Sequence, residues 1–209
     1  MLKAMRRPGS RASNLALLGR FRERVPDAAL RSSFIVGYPG ETEEQFESLL
    51  AFLEQAKLDR VGVFAYSQEA LTPSGSLEGQ VPDKVKERRR KLAMQVAAAI
   101  SEKRLRRLKG RSLEVMVERP SRSADTPLVD SIEHGSLAPQ RGAKACRRGA
   151  KDLWVGRTQF DAPDMDGKVY FSPAKGVELK PGGFVTVTVE LTMMAPAQGH
   201  SELIADLPS

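Results

Sequence analysis

The sequence holds a single cysteine, Cys146, and two histidines, His134 and His200, in 209 residues. One thiol cannot form an intramolecular disulfide, nor complete a cysteine-ligated metal or iron–sulfur centre. Neither histidine stands at metal-ligand spacing from another candidate ligand, so no metal role is assigned to either. Long apolar runs are lacking too. No stretch approaches the roughly 18 apolar residues of a membrane-spanning helix, and the start MLKAMRRPGS has basic residues with no apolar run behind them. The expectation is a soluble chain with no targeting segment and a cytoplasmic location. Aromatics are scarce, 6% of residues, and none interleaves the basic run Lys84 to Lys91. That run therefore reads as a solvated helix face ahead of a nucleic-acid grip.

What is present suffices for a core: 41% of residues are apolar, in a length that suits one large domain or two small ones. The net charge of +7 is unevenly spread. Residues 1–107 carry twenty Lys and Arg against thirteen Asp and Glu, whereas residues 151–209 carry five against eight. The basic excess thus belongs mostly to the first half, and the last quarter is mildly acidic.

Hydrophobic spacing organises the chain. Leu15, Leu18 and Phe21 predict an amphipathic helix over Ser10 to Arg24. The run Leu30 to Val36, rich in β-favouring residues and stopping at Gly37, predicts a buried parallel strand. Thr42 with Gln45 forms a capping box ahead of a helix to about Lys57, its apolar face marked by Phe46, Leu49, Leu50 and Leu53. Val61 to Tyr66 completes a βαβ unit. Alone, such a unit leaves sheet edges and apolar surface uncovered, so the sequence reads as truncated at its N-terminus. A charged helix is expected over Pro82 to Lys109, with Val85, Leu92, Val96, Ile100 and Leu108 as its sparse apolar members and Gly110 as its cap. Strands follow at Ser112 to Glu118, Leu153 to Gln159, Lys168 to Phe171 and Phe184 to Leu191, with turns at Asp166-Gly167 and Pro181-Gly182-Gly183; they predict a small antiparallel barrel. Ser121 to Ala150 has no apolar periodicity and is expected to be a disordered loop or insertion.

Two segments could carry chemistry. Ile35-Val36-Gly37-Tyr38-Pro39-Gly40-Glu41-Thr42 lies where a strand hands over to a helix, the place where α/β folds bind ligands; on spacing alone it is equally a tight connection with no ligand. Phe64-Ala65-Tyr66-Ser67 ends the next strand on the same rim and could hold an adenine, though its aromatics fit core and rim packing as well.

Taken together, several segments resemble one family in order and spacing. Leu2 to Pro8, Leu30 to Thr42, and Arg60 to Ser67 with Thr72-Pro73 are similar to the second half of the radical S-adenosylmethionine (SAM) barrel of methylthiotransferases. The C-terminal strands are similar to the OB-like TRAM domain that follows that barrel. Phe160 to Tyr170, containing Asp161-Ala162-Pro163-Asp164-Met165-Asp166-Gly167, resembles the RimO type, which modifies a ribosomal protein, more than the tRNA-modifying MiaB type. The resemblance implies a fold of class α/β: a partial, TIM-like radical SAM barrel over 1–80, a connector helix over 81–109, and a TRAM-like barrel over 110–209 with a foreign or disordered stretch at 121–150. It implies sulfur insertion and methylation at the β-carbon of an aspartate in a basic small-subunit ribosomal protein (S twelve), and a monomer. SAM and two [4Fe-4S] clusters are the implied cofactors. The cluster cysteines are not among these residues, so the chain by itself is expected to be inactive. Ser33, Ile35, Gly37, Phe64, Ala65 and Tyr66 would face SAM. Asp161, Asp164 and Asp166 would face the protein substrate, though aspartates also shape turns. A MiaB-like tRNA enzyme and a non-catalytic TRAM-type module binding RNA or protein are the competing readings.

Overall fold

The structure is a computed structural model that describes residues 2, 4–122, 153–163, 168–173, 177–195 and 200–206, with the backbone alone from 190 onward. The expected disorder of Ser121 to Ala150 therefore falls outside the described residues save for Ser121 and Arg122, and the Asp166-Gly167 turn, Asp164, Asp166 and Cys146 fall outside them as well. Two compact units divide the chain, residues 1–101 and 102–209. Among the described residues no helix is long and apolar enough to cross a membrane.

The first unit contains α1 (Arg11–Arg24), β1 (Arg31–Val36), α2 (Glu43–Ala56) and β2 (Arg60–Ala65), followed by most of α3 (Asp83–Leu105). β1 and β2 pair in parallel, Arg31 opposite Arg60 through Val36 opposite Ala65. The two residue types that stop a helix from fraying are both in place on α2. Thr42 Oγ1 accepts the Gln45 N–H while Gln45 Oε1 accepts the Thr42 N–H, each at 3.3 Å, and Lys57 turns left-handed (φ 46°) to end it. Phe46, Leu53, Val36, Val63 and Ala93 form the core, with Phe34, Leu49, Leu50, Val61, Met94, Val96 and Ile100 packed on it.

Two expectations need correcting here. The amphipathic face assigned to α1 is only partly covered: Leu15 and Leu18 are half-buried, Phe21 is exposed, and no residue of α1 is fully buried. Its contribution is polar, since Arg22 Nη2 donates to the last carbonyls of α2 at Ala56 and Lys57, where an α-helix has acceptors to spare. On α3 most of the apolar residues expected to mark its inner face are not the fully buried ones: Val85, Val96 and Ile100 are half-buried. Leu92 is exposed, and the buried stripe runs through Lys86, Arg89, Ala93, Ala97, Ser101 and Leu105, spaced three or four apart. Small side chains along that stripe let the helix lie close to its neighbours.

The second unit holds the end of α3, a 3-10 turn (Arg106–Leu108), and β3 (Ser112–Pro120), β4 (Trp154–Thr158), β5 (Val169–Ser172), β6 (Phe184–Ala195) and β7 (His200–Asp206). The strands close into a barrel in the order β3-β4-β5-β7-β6, an OB-type arrangement. It is not wholly antiparallel, because β5 and β7 pair in parallel, and β7 itself was not among the strands expected. Alternating residues fill the interior: Val115 and Val117, Val169 and Phe171, and Val187 and Val189 are each at most 1% exposed. Gly156 is required on β4, because a Cβ there would lie 2.5 Å from both the Met116 carbonyl oxygen and Val115 Cγ1. The β3–β6 corner closes as expected at Pro181 to Gly183, where Gly182 (φ 84°) donates to the Val117 carbonyl at 2.8 Å.

Candidate functional site

In a parallel pair, residues in register share a face, and successive residues alternate faces. One face of the β1–β2 sheet carries Phe34, Val36, Val61 and Val63 and is covered by α2 and α3. The opposite face carries Ser33, Ile35, Gly62 and Phe64, with Ser33 opposite Gly62 and Ile35 opposite Phe64. It is bare: Ile35 is 48% and Phe64 52% exposed. The Phe64 ring lies over Gly62, where an added Cβ would come within 3.2 Å of it and 3.5 Å of Ser33 Oγ. Exposed aromatic and aliphatic surface beside a hydroxyl is unusual on a sheet face and suits a planar, partly apolar ligand.

The structure thus brings Ser33, Ile35 and Phe64 together and sets the other three apart. Ala65 pairs with Val36 on the covered face. Tyr66 lies just beyond the strand, its ring edge-on to Tyr38 at 5.4 Å and 5.5 Å from Lys86 Nζ. Its hydroxyl is buried with no hydrogen-bond partner among the described residues, so a polar ligand atom could satisfy it. Gly37 is buried and left-handed (φ 75°), and a Cβ there would collide with the Lys86 methylenes. Its glycine is explained by that packing, and its N–H donates to Glu41 Oε1 at 2.9 Å.

Glu41, Lys86 and Arg89 are the residues sequence reasoning missed. Arg89 Nη1 donates to Glu41 Oε1 at 2.7 Å, with both side chains 5% exposed, and to the Glu41 carbonyl at 3.1 Å. Arg89 Nη2 donates to Glu43 Oε2 at 2.8 Å, and the guanidinium lies over the Phe46 ring at 5.4 Å. Burial works against the Arg89 charge, but the hydrogen bond to Glu43 and the field and bond of Glu41 outweigh it and raise its pKa. The Arg89 hydrogen bond likewise holds the Glu43 carboxyl below its ordinary range, against some desolvation. One carboxylate oxygen of Glu41 therefore ties the end of β1 to α3. No spacing rule singles out a buried arginine on a helix this charged, so its burial has no signature in the residue pattern.

In the second unit, Asp161 is buried at the end of β4. Its Oδ2 accepts the Thr158 N–H at 3.1 Å and the Thr158 hydroxyl at 2.6 Å, and its own N–H donates to the Thr158 carbonyl. This carboxylate braces a turn, the role aspartate plays readily. Among the described residues no group of three His, Cys, Asp or Glu side chains is placed to hold a metal ion. With one cysteine, the chain does not fit either iron–sulfur cluster.

The TRAM domain profile matches residues 147–194, which include β4, β5 and most of β6. Over 202 residues the chain is 39% identical to the ribosomal protein uS12 methylthiotransferase RimO of Paraburkholderia phytofirmans, covering 96% of this chain and 36% of that protein. The chain is related to the RimO-type methylthiotransferases. The protein of the same name from Symbiobacterium thermophilum is 42% identical over 189 residues, covering 90% of this chain and 33% of its own length. That from Methylobacillus flagellatus is 40% identical over 189 residues, covering 90% and 36%. The chain thus spans about a third of the length of the RimO relatives it matches.

Proposed function

We propose that this chain is the part of a radical SAM methylthiotransferase that offers one wall to SAM and a barrel to a basic small-subunit ribosomal protein, whose aspartate is the residue modified. The observation that carries the reading is the bare face of Ser33, Ile35 and Phe64, on a sheet whose other face is packed against α2 and α3. The orphaned Tyr66 hydroxyl near the same strand ends supports it. SAM, when bound, supplies the methyl group and the source of the radical. The chain's own residues do simpler work: Ile35 and Phe64 exclude water from one side of the adenosyl group, and Ser33 offers a hydroxyl. Gly37, Ala65 and Tyr66 shape the rim behind them, and the Arg89–Glu41 pair holds that rim to α3. These residues, with a single cysteine, do not fit an iron–sulfur cluster. Toward the protein substrate, Asp164 and Asp166 are the carboxylates proposed to face it, while Asp161 braces its own turn at Thr158.

The test is titration calorimetry of the full chain with SAM. Measurable binding is expected in the wild type, and the double variant Ile35→Asp, Phe64→Asp should weaken it about tenfold or more, roughly 1.4 kcal/mol. Equal affinity of the two proteins for SAM would remove the bare face from the reading.

A further inference from the structure

One peptide unit at the end of β1 is gripped from both sides. Its carbonyl, that of Val36, accepts the Tyr66 N–H at 2.9 Å, a hydrogen bond that carries the β1–β2 ladder one residue past the last registered pair, Val36 opposite Ala65. Its N–H, that of Gly37, donates to Glu41 Oε1 at 2.9 Å. A peptide unit is planar, so the direction of its N–H fixes the direction of its C=O. Glu41 therefore sets where the Val36 carbonyl points, and that carbonyl sets where the backbone of Tyr66 lies. The carboxylate is itself held in place. Glu41 Oε1 also takes the Arg89 Nη1 hydrogen bond at 2.7 Å, and the Glu41 N–H donates to the Tyr38 carbonyl at 2.9 Å to close the turn. On the other side of Gly37 the Lys86 methylenes fill the space a Cβ would need.

Charge alone does not account for this arrangement. Balancing Arg89 needs only a carboxylate within reach of its guanidinium, and Glu43 Oε2 already supplies one at 2.8 Å. What Glu41 adds is the bond to the Gly37 N–H. We propose that Glu41 is a positioning residue for Tyr66, and that Tyr66 gives its hydroxyl to a polar atom of the adenosyl ligand. This rests on the reading that the rim takes SAM. The Tyr66 hydroxyl is buried with no hydrogen-bond partner among the described residues, a state that folded chains rarely keep unless something else satisfies the group. Its ring is flanked by Tyr38, edge-on at 5.4 Å, and by Lys86 Nζ at 5.5 Å from the ring centre. Between those neighbours the backbone position of Tyr66 decides where the hydroxyl lies, and that position passes through the Val36–Gly37 peptide to Glu41.

The test separates reach from charge in the full chain. Glu41→Asp keeps a carboxylate but draws it back by one methylene from the Gly37 N–H, whereas Glu41→Gln keeps the length and an acceptor oxygen but gives up the charge. In titration calorimetry with SAM, Glu41→Asp and Tyr66→Phe should each lose about five- to tenfold in affinity, the worth of one hydrogen bond. The two together should lose no more than about twofold beyond either alone, because both remove the same contact. Glu41→Gln, the conservative replacement, should recover to within about threefold of wild type. A second measurement needs no ligand. With ¹³C-labelled tyrosine, the Tyr66 ring resonances, assigned through Tyr66→Phe, should shift in Glu41→Asp and stay in place in Glu41→Gln, while those of Tyr170 in the barrel hold still in both. A Gln variant that loses as much as the Asp variant would reduce Glu41 to a charge partner of Arg89, and additive losses in the double variant would place its effect somewhere other than Tyr66; either overturns the proposal. Should Glu41→Asp lack the helical circular dichroism of the wild type, Glu41→Gln decides alone, and a shifted Tyr66 resonance there overturns it. A wild-type chain that binds no SAM would remove the proposed function and the ligand half of this inference together, while the Tyr66 resonances still decide the link from Glu41.

Discussion

The two units solve the problem of a sheet's two faces in opposite ways. In residues 1–101 a two-stranded parallel sheet has one face covered by α2 and α3 and the other left bare, with Ile35 and Phe64 in the open. In residues 102–209 five strands close on themselves, and Val115, Val117, Val169, Phe171, Val187 and Val189 face one interior. A closed barrel hides most of its apolar surface, although Phe184 and Val177 stay exposed. An open sheet keeps apolar surface on display and needs other means to stay in shape, since both of its strands have an unpaired edge. The difference extends to polar groups. The open unit buries a charged pair, Arg89 with Glu41, where strand, turn and helix meet. The barrel unit buries a polar contact in the Asp161–Thr158 turn. Specificity of shape thus rests on charge in the first unit and on packing in the second.

The largest expected effects would break this contrast unit by unit. Phe171 is fully buried in the barrel, and Phe171→Ala should cost about 3 to 5 kcal/mol. Arg89→Met keeps most of the volume but strands Glu41 in a buried site, and should cost about 3 kcal/mol. The chain's one tryptophan, Trp154, lies on β4, so its fluorescence follows the barrel, while the helical signal in circular dichroism comes mainly from the first unit. In urea, Phe171→Ala should move the Trp154 transition first and Arg89→Met the helical one. Identical shifts of both signals in both variants would show that the division of labour does not exist.

A milder perturbation sharpens the role of charge in the open unit. The folded-state pKa of Glu43 lies below its ordinary value of 4.5, chiefly through the Arg89 hydrogen bond. A carboxylate with a depressed folded pKa adds stability that is fully present above its unfolded pKa and is lost as pH falls through the folded one. Wild type should therefore be more stable than Glu43→Gln at neutral pH. The gap between their urea midpoints should close as pH drops below about 4.5. A gap that persists unchanged to pH 3 would assign the difference to something other than the Glu43 charge.

Much of this architecture was legible in the sequence because it follows from periodicity and capping. Thr42 and Gln45 announce α2, alternation announces β3 and β6, and Leu30 to Val36 reads as a strand because β-favouring residues run up to a glycine. The likeness to the RimO-type enzymes was legible from the Ile35 to Thr42 turn and the Asp161 to Gly167 run together. What escaped has a common physical cause. Apart from Leu105, the buried stripe of α3 is built from alanines, a serine and paired cations, which no hydrophobic count detects. Gly37 was expected to admit a ligand, yet the close neighbour it admits is the Lys86 side chain. β7 went unseen because His200 to Asp206 mixes charge with few apolar residues, and its place in the barrel depends on distant partners in β5 and β6. For Asp161 the type of residue was informative and its direction was not: whether a carboxylate faces inward to brace a turn or outward to a partner is decided by Thr158, three residues earlier.

The smallest expected effect separates the two faces of a single strand pair. Ile35 and Val36 are adjacent in β1, and Phe64 and Val63 in β2, yet Ile35 and Phe64 are about half exposed while Val36 and Val63 are at most 5% exposed. Replacing Ile35 and Phe64 by serine removes apolar surface that already lies in water, so the double variant should stay within about 0.5 kcal/mol of wild type. Val36→Ser or Val63→Ser, by contrast, leaves a void and a hydroxyl in the core, and each should cost at least about 2 kcal/mol. Chemical denaturation followed by circular dichroism makes the comparison directly. Apolar residues kept at positions where they contribute nothing to folding point to contact with something outside the fold. If the serine pair at 35 and 64 destabilised the chain as much as Val36→Ser does, that face would be holding the fold together, and its proposed contact with SAM would lose its physical basis.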